Sequence, residues 1–307
     1  LKAGRPHRRL EGQAMALVFE KPSLRTRVTF EIGIAQLGGS AVYLAPGDIR
    51  LGERESVADI ARNLSRWTNL IVARTFSHDT VRELAENAAV PVVNGLSDWT
   101  HPCQVLADCF TLIEKRRRLD GLTVAFVGDG NNMVHSLIFA SNLLGFELRI
   151  ACPKGYEPDP KVVATAKPGR LTITRSVSEA VRQADVLYTD VWTSMGQEAE
   201  AARRRKAFRS YQLNRDTLAL ARPNALVMHC LPAHRGEEIT DEVLDGPQSI
   251  VLDQAENRLH VQKAIMVWLA ESGRLQAQGK RRTLRLVSAR GRRARVRAGR
   301  RSRRNSR

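Results

Sequence analysis

Ser23-Leu24-Arg25-Thr26-Arg27 places two hydroxyls and two guanidiniums within five residues. Before them runs Ala14 to Phe19, an apolar stretch with the length and composition of a buried strand. From Val28 the apolar residues take helical spacing, with Val28, Ile32 and Ala35 on one line and Phe30, Ile34 and Leu37 on the next. Gly38 and Gly39 stop that helix. The positive end of a helix, its free N–H groups and the forks of Arg25 and Arg27 all suit a phosphate or carboxylate. A plain capped helix start with solvated arginines is the alternative. The crowding of Ser, Arg and Thr into one turn favours the anion site.

Other residues able to do chemistry fall at the ends of expected strands. Asn131 and Asn132, then Asp190 and Ser194, then His229 and Cys230 follow three strands of the second half. Arg74, His101 and Gln104 join Ser23, Arg25 and Thr26 in the first half. Ligands of open α/β sheets bind beyond the carboxyl ends of the strands. Two such edges facing one another would form a cleft between domains. Taken singly, these residues have blander readings. Cys230 alone is more often a small buried residue, and His101 before Pro102 could simply cap a helix. Gly128-Asp129-Gly130 hints at a dinucleotide site, but Met133 stands where the third glycine of GxGxxG belongs, so a nicotinamide cofactor is disfavoured. His135, His234 and His260 show no sequence partner and are read as structural. Trp67, Trp99, Trp192 and Trp268 are read as core.

The elements needed to position these groups alternate. After the first strand and helix come a strand at Ala41 to Leu44, a polar loop, and a helix capped by Ser56 with Val57, Ile60, Ala61 and Leu64 on one face. A strand at Leu70 to Ala73 delivers Arg74. A helix at Thr80 to Ala88 and a strand at Val90 to Val93 lead to a helix opened by His101 and running to Lys115. After the basic turn at 115–121 the pattern restarts: strand Leu122 to Val127, helix Val134 to Leu144, strand Glu147 to Cys152, helix Pro160 to Ala166, strand Leu171 to Thr174, helix Ser178 to Gln183. Strands Val186 to Thr189, Ala225 to Met228 and Ser249 to Leu252 precede a last helix, Ala255 to Leu269. This predicts an α/β fold of two doubly wound parallel-sheet domains with the active site in the cleft between them.

The chain has 307 residues and a net charge of +17, and the location of that charge decides its meaning. Of 49 Lys and Arg, residues 271–307 hold 15, against one acid, Glu271, leaving the body nearly neutral. An Arg-rich run with Gly and Ser is expected to be disordered alone. It could bind nucleic acid or an anionic membrane through phosphates. The lack of aromatic residues from 280 onward favours an extension without such a role. Cys103, Cys109, Cys152 and Cys230 form no CxxC pair and no zinc spacing. Reduced thiols and a cytoplasmic enzyme are expected. No apolar run has the length of a membrane span. Leu1 in place of Met implies that the sequence starts inside the natural chain, which leaves organellar targeting open.

The motifs SLRTR (23–27), HPCQ (101–104), DVWTSMG (190–196) and HCLPAHRG (229–236), in this order, resemble those of the ornithine carbamoyltransferases, within the aspartate/ornithine carbamoyltransferase family. The similarity runs from about residue 1 to 270. The first two motifs are shared with the aspartate enzymes, and the last two point to the ornithine branch. The resemblance implies a carbamoyl phosphate-binding domain at 1–118 joined by a C-terminal helix at 254–270, an ornithine-binding domain at 119–253, and a tail at 271–307. It implies transfer of a carbamoyl group from carbamoyl phosphate to the δ-amine of L-ornithine, giving citrulline and phosphate, with no metal or organic cofactor and as a homotrimer. A different amine acceptor, or a protein working through its tail, are the competing readings.

By the same resemblance, Ser23, Leu24, Arg25, Thr26, Arg50, Arg74, His101 and Gln104 would hold carbamoyl phosphate, with Cys230 and Leu231 beside it and Arg258 completing the charged wall. Asn132, Asp190, Ser194 and Met195 would bind ornithine, and Cys230 and Leu231 would lie by the reacting amine, Cys230 as proton acceptor. Arg25, His101, Cys230 and Arg258 are the expected catalytic set. Several features depart from the family. Leu24 replaces a Thr, and Arg50 replaces a Gln often sent across a subunit interface to carbamoyl phosphate. The segment at 165–171 is short. Family members also start with a helix before this sequence begins, and they end near residue 270.

Overall fold

The computed structural model describes residues 7–272, so expectations for the basic tail beyond 272 lie outside the described residues. The first half contains β1 (Ala14–Phe19), α1 (Leu24–Gln36), β2 (Ser40–Leu44), α2 (Pro46–Ile49), α3 (Val57–Trp67), β3 (Leu70–Arg74), α4 (His78–Asn87), β4 (Val92–Leu96) and α5 (Pro102–Arg116). The second contains β5 (Thr123–Val127), α6 (Asn132–Leu144), β6 (Glu147–Ala151), α7 (Pro160–Val163), β7 (Leu171–Thr174), α8 (Val177–Val181), β8 (Val186–Thr189), α9 (Ala201–Phe208), α10 (Arg215–Ala219), β9 (Leu226–His229) and α11 (Asp241–Leu244). A long helix, α12, runs over 251–272.

Both sheets are parallel, with strand orders β2-β1-β3-β4 and β7-β6-β5-β8-β9. The sequence accounts for the order. Strands β1, β3, β5 and β8 are almost wholly apolar and buried, as central parallel strands covered on both faces must be, whereas β2 and β7 are partly exposed at the edges. Each sheet reverses its winding once, between β1 and β3 and between β5 and β8. Those crevices beyond the strand ends are where such sheets bind ligands. Here they release Ser23 and Arg74 from one sheet and Asp129 to Asn132 and Asp190 from the other.

Helix α1 begins at Leu24, earlier than the apolar periodicity from Val28 suggests. The Ser23 hydroxyl accepts from the Thr26 N–H at 3.2 Å, so SLRTR forms the cap and first turn rather than a preceding loop. Gly38, at φ +88°, ends the element. Phe30, Ile34 and Leu37 pack with Met15, Leu17 and Phe19, and Met266 of α12 completes this core. Helix α12 also meets α5 through a buried polar seam, in which Gln104, Asp108 and Thr111 face Arg258, Gln254 and Asn257.

Several expectations change. Ser249 to Leu252 is not a strand: Ser249 makes one bridge to Val227, and α12 starts at 251. A strand and a helix read alike in so short an apolar run. Helices α9, α10 and α11 escaped prediction, being short and poor in apolar residues. Trp67 and Trp268 are largely exposed rather than in the core. Cys103, Cys109 and Cys152 are buried, and their thiols are free of disulfides, as expected. Gly130 has no room for a side chain, because a Cβ would lie 2.3 Å from the Pro158 nitrogen. The chain's own close approach, not a pyrophosphate, accounts for that glycine.

Candidate active site

A cavity of about 710 Å³ opens between the carboxyl edges of the two sheets. Its first wall is cationic. Arg25 projects from the first turn of α1, Arg74 ends β3, and Arg258 reaches in from α12. The acceptors that hold Arg258 are neutral: the Gln104 amide oxygen, the Thr26 hydroxyl at 3.2 Å, and the Gln262 amide oxygen at 2.9 and 3.2 Å. Burial and the neighbouring guanidiniums of Arg258 and Arg25 lower the Arg74 pKa to about 10, which leaves it charged at neutral pH. Burial likewise lowers that of Arg258. His101 is held well below the usual imidazole value by burial and then by Arg258, Arg74, Lys21 and Arg25, so its ring is neutral. Arg74 Nε and His101 Nδ1 are buried without a partner among the described residues. Buried polar atoms of this kind carry a cost that a polyanion can offset.

The opposite wall is built on a carboxylate. Asp190, immediately after β8, accepts from Asn131 Nδ2 at 3.0 Å, from the Val191 N–H at 2.8 Å and from the Cys230 thiol at 2.9 Å. Burial, then the adjacent Asp190, pushes the thiol of Cys230 well above its ordinary pKa. Cys230 is therefore a neutral donor, and Asp190 is its acceptor. The turn that carries Cys230 is held from below. His229 Nδ1 accepts from the Leu231 N–H at 2.8 Å, and His229 Nε2 donates to the buried Glu238 at 3.0 Å. This secures Leu231 at φ +58°, a conformation that costs a non-glycine residue about 1–2 kcal/mol.

The loop between Asp190 and α9 brings Ser194 and Met195 to the cavity. Its base is fixed by Arg204, which donates to the Trp192 carbonyl at 2.5 Å and pairs with Asp129 while lying against the rings of Tyr156 and Phe208. Asn132 starts α6 and donates to the Ser97 carbonyl at 2.6 Å, linking the two halves. Asn131, by contrast, caps α6 and orients Asp190.

The structure brings together Ser23, Leu24, Arg25, Thr26, Arg74, His101, Gln104, Asn132, Asp190, Ser194, Met195, Cys230, Leu231 and Arg258 in one cavity. Arg50 is the exception. It caps α2 at φ +41° and does not line the cavity of its own chain. Lys21, Glu198, Arg205, His234 and Glu237 also line it, without having been singled out from the sequence. Lys21 was detectable as a further cation two residues before Ser23. His234, read as structural, stands in the motif that carries Cys230. Glu198 and Arg205 belong to the unpredicted segment around α9 and had no signal.

Known proteins resemble the chain in sequence and in fold. The family model described as aspartate/ornithine carbamoyltransferase, carbamoyl-P binding domain, matches residues 1–114, and that of the Asp/Orn binding domain matches 120–269. The ornithine carbamoyltransferase of Thermococcus kodakarensis is 54% identical over 271 residues, covering 86% of each chain. The anabolic ornithine carbamoyltransferase of Pyrococcus furiosus is 53% identical over 271 residues, again 86% of each. Among solved structures, ornithine carbamoyltransferase from Pyrococcus furiosus superposes with a TM-score of 0.85 at 52% identity over 88% of both chains. The anabolic enzyme from Campylobacter jejuni gives 0.84 at 36% identity, over 88% of this chain and 91% of the other.

Proposed function

The chain belongs to the aspartate/ornithine carbamoyltransferase family, and we propose that it transfers the carbamoyl group of carbamoyl phosphate to the δ-amine of L-ornithine, giving L-citrulline and phosphate in arginine metabolism. The observation that carries this reading is the pairing of two unlike walls: Arg25, Arg74 and Arg258 gathered with Lys21 on one side, and Asp190 with Cys230 on the other. The first suits a phosphate dianion, and the second an ammonium or amine.

The N–H groups at the start of α1 and the Arg25 fork hold the phosphate, with Ser23, Leu24 and Thr26 supplying that turn. Arg74, His101 and Gln104 reach the carbamoyl group, and Arg258 faces its oxygen. An alkylamine of pKa near 10.4 is neutral in roughly one molecule per few thousand at pH 7, so attack requires a proton acceptor. Asp190 takes that role through Cys230, whose thiol hands on its proton as it gains another. As the amine nitrogen bonds to the carbonyl carbon, charge grows on the carbonyl oxygen and then on the departing phosphate. The guanidiniums stabilise both. His101 contributes as a neutral hydrogen-bonding ring. Asn132, Asp190, Ser194 and Met195 fix the α-amino and α-carboxylate ends of ornithine.

The unit at 1–118 with helix 254–270 serves carbamoyl phosphate, and that at 119–253 serves ornithine. The active form is a homotrimer in which Arg50 of a neighbouring copy reaches the phosphate. Four free cysteines support a reducing compartment such as the cytoplasm. No helix among the described residues is long and apolar enough to cross a membrane.

The test is citrulline formation from carbamoyl phosphate and ornithine. Carbamoylation of another amine with no turnover of ornithine would replace this reading.

A further inference from the structure

The run His234-Arg235-Gly236-Glu237-Glu238, just after the Cys230 turn, folds back on itself. Gly236 takes φ +81°, and the Glu237 N–H donates to the His234 carbonyl at 2.9 Å, which together reverse the chain. The reversal brings a ring nitrogen of His234 and one carboxylate oxygen each of Glu237 and Glu238 within 4.8 Å of one another. His234 is exposed, Glu237 is half-buried, and both line the cavity.

Glu238 is wholly buried, and its neighbours leave it unbalanced. Its Oε1 accepts from His229 Nε2 at 3.0 Å and from the His234 N–H at 2.6 Å. Its Oε2 is buried with no hydrogen-bond partner among the described residues. His229 supplies no charge, because its Nδ1 accepts from the Leu231 N–H at 2.8 Å and so carries no proton. The nearby guanidiniums are taken: Arg205 pairs with Glu237 at 2.9 Å, and Arg235 with Asp241 and Asp245. A proton on Oε2 would find no acceptor either. What this buried carboxylate lacks is a cation. Asp190, His229 and Cys230 also lie within 4.8 Å of one another, but there both ring nitrogens and the thiol are already engaged.

We propose that His234, Glu237 and Glu238 bind a divalent first-row cation of the Zn²⁺ or Co²⁺ class. One imidazole and two carboxylates suit such ions, and three protein ligands leave coordination positions for water. Arg205 holds one Glu237 oxygen, but its side chain is 60% exposed and turns to solvent as the cation takes its place. The ion fixes the carboxylate that anchors His229, and through His229 the turn carrying Cys230 and Leu231. It therefore braces one wall of the cavity.

The probe is Co²⁺, added at neutral pH to the full chain after treatment with chelator, and followed by absorption and thermal unfolding. One Co²⁺ per chain is expected, with ligand-field bands in the visible and without the near-ultraviolet charge-transfer band of a thiolate ligand. Saturation should raise Tm, because the ion binds the folded turn. His234→Ala and Glu237→Gln, at accessible positions, should each weaken Co²⁺ at least ~10-fold and remove the Tm shift. Cys230→Ser should keep Co²⁺ affinity within about threefold. Glu238 is left in place because it also holds His229. No Co²⁺ bound by the unmodified chain, a thiolate band that disappears in Cys230→Ser, or unchanged affinity in both His234→Ala and Glu237→Gln overturns the inference. Each of these results leaves the proposed carbamoyl transfer untouched.

Discussion

The Cys230 thiol donates to the Asp190 carboxylate at 2.9 Å across the ends of β9 and β8. A thiol pushed far above its usual pKa cannot begin as a base, so the pair has a direction. Asp190→Asn should lower kcat ~100-fold or more. Cys230→Ser, which keeps a donor in place, should lose ~10-fold or less. Steady-state citrulline assays rank the two, and the reverse ranking would restore Cys230 as the acceptor.

Arg25 stands at the start of α1 with its charge aimed at the cavity. Arg25→Ala removes two charge-assisted hydrogen bonds and should weaken carbamoyl phosphate binding ~100-fold or more. Near-normal affinity in titration calorimetry would remove the phosphate from this corner.

Lys21 supplies a pH signature. Burial, then the nearby Arg74, lowers its pKa to about 8, and its ammonium sits 4.8 Å from the centre of the Phe76 ring. Its folded value lies below the unfolded one, so between about pH 8 and 10.5 the unfolded chain holds the extra proton. Its charging penalty is thus fully present below pH 8 and is relieved as pH rises above it. Binding runs the other way. A dianion favours charged Lys21, so carbamoyl phosphate affinity should fall as pH passes upward through about 8, with proton uptake on binding. Calorimetry in buffers of different ionisation enthalpy reads that uptake, which should vanish in Lys21→Met.

Arg204 and Asp129 form a buried pair under the loop carrying Ser194 and Met195. Arg204→Met leaves a buried carboxylate alone and should cost about 3 kcal/mol in denaturant unfolding. In the protein that still folds, KM for ornithine should rise ~10-fold while carbamoyl phosphate affinity stays within about twofold, because the pair touches one wall only. Parallel changes in both constants would show a general loosening instead.

The sequence by itself determined the parallel α/β plan, the two sheet edges and most of the polar groups that line the cavity. Apolar runs and helical spacings are local signals, and the polar groups sit at strand ends where this fold places ligands. It gave no hint that Asp108 would be buried with hydrogen bonds to Gln104, Gln254 and Tyr188, because a lone Asp within an otherwise helical pattern says nothing of its partners. Only the tertiary structure decided that Gln104, Asp108 and Thr111 turn inward against α12, that Arg204 lies buried beneath a loop, and that the Cys230 thiol donates its hydrogen bond to Asp190. Each of these depends on which side chain stands opposite, at sequence separations from 40 to 154 residues, and on how far water is excluded. Burial and facing partners set pKa and hydrogen-bond direction, and neither is encoded in the residue type alone.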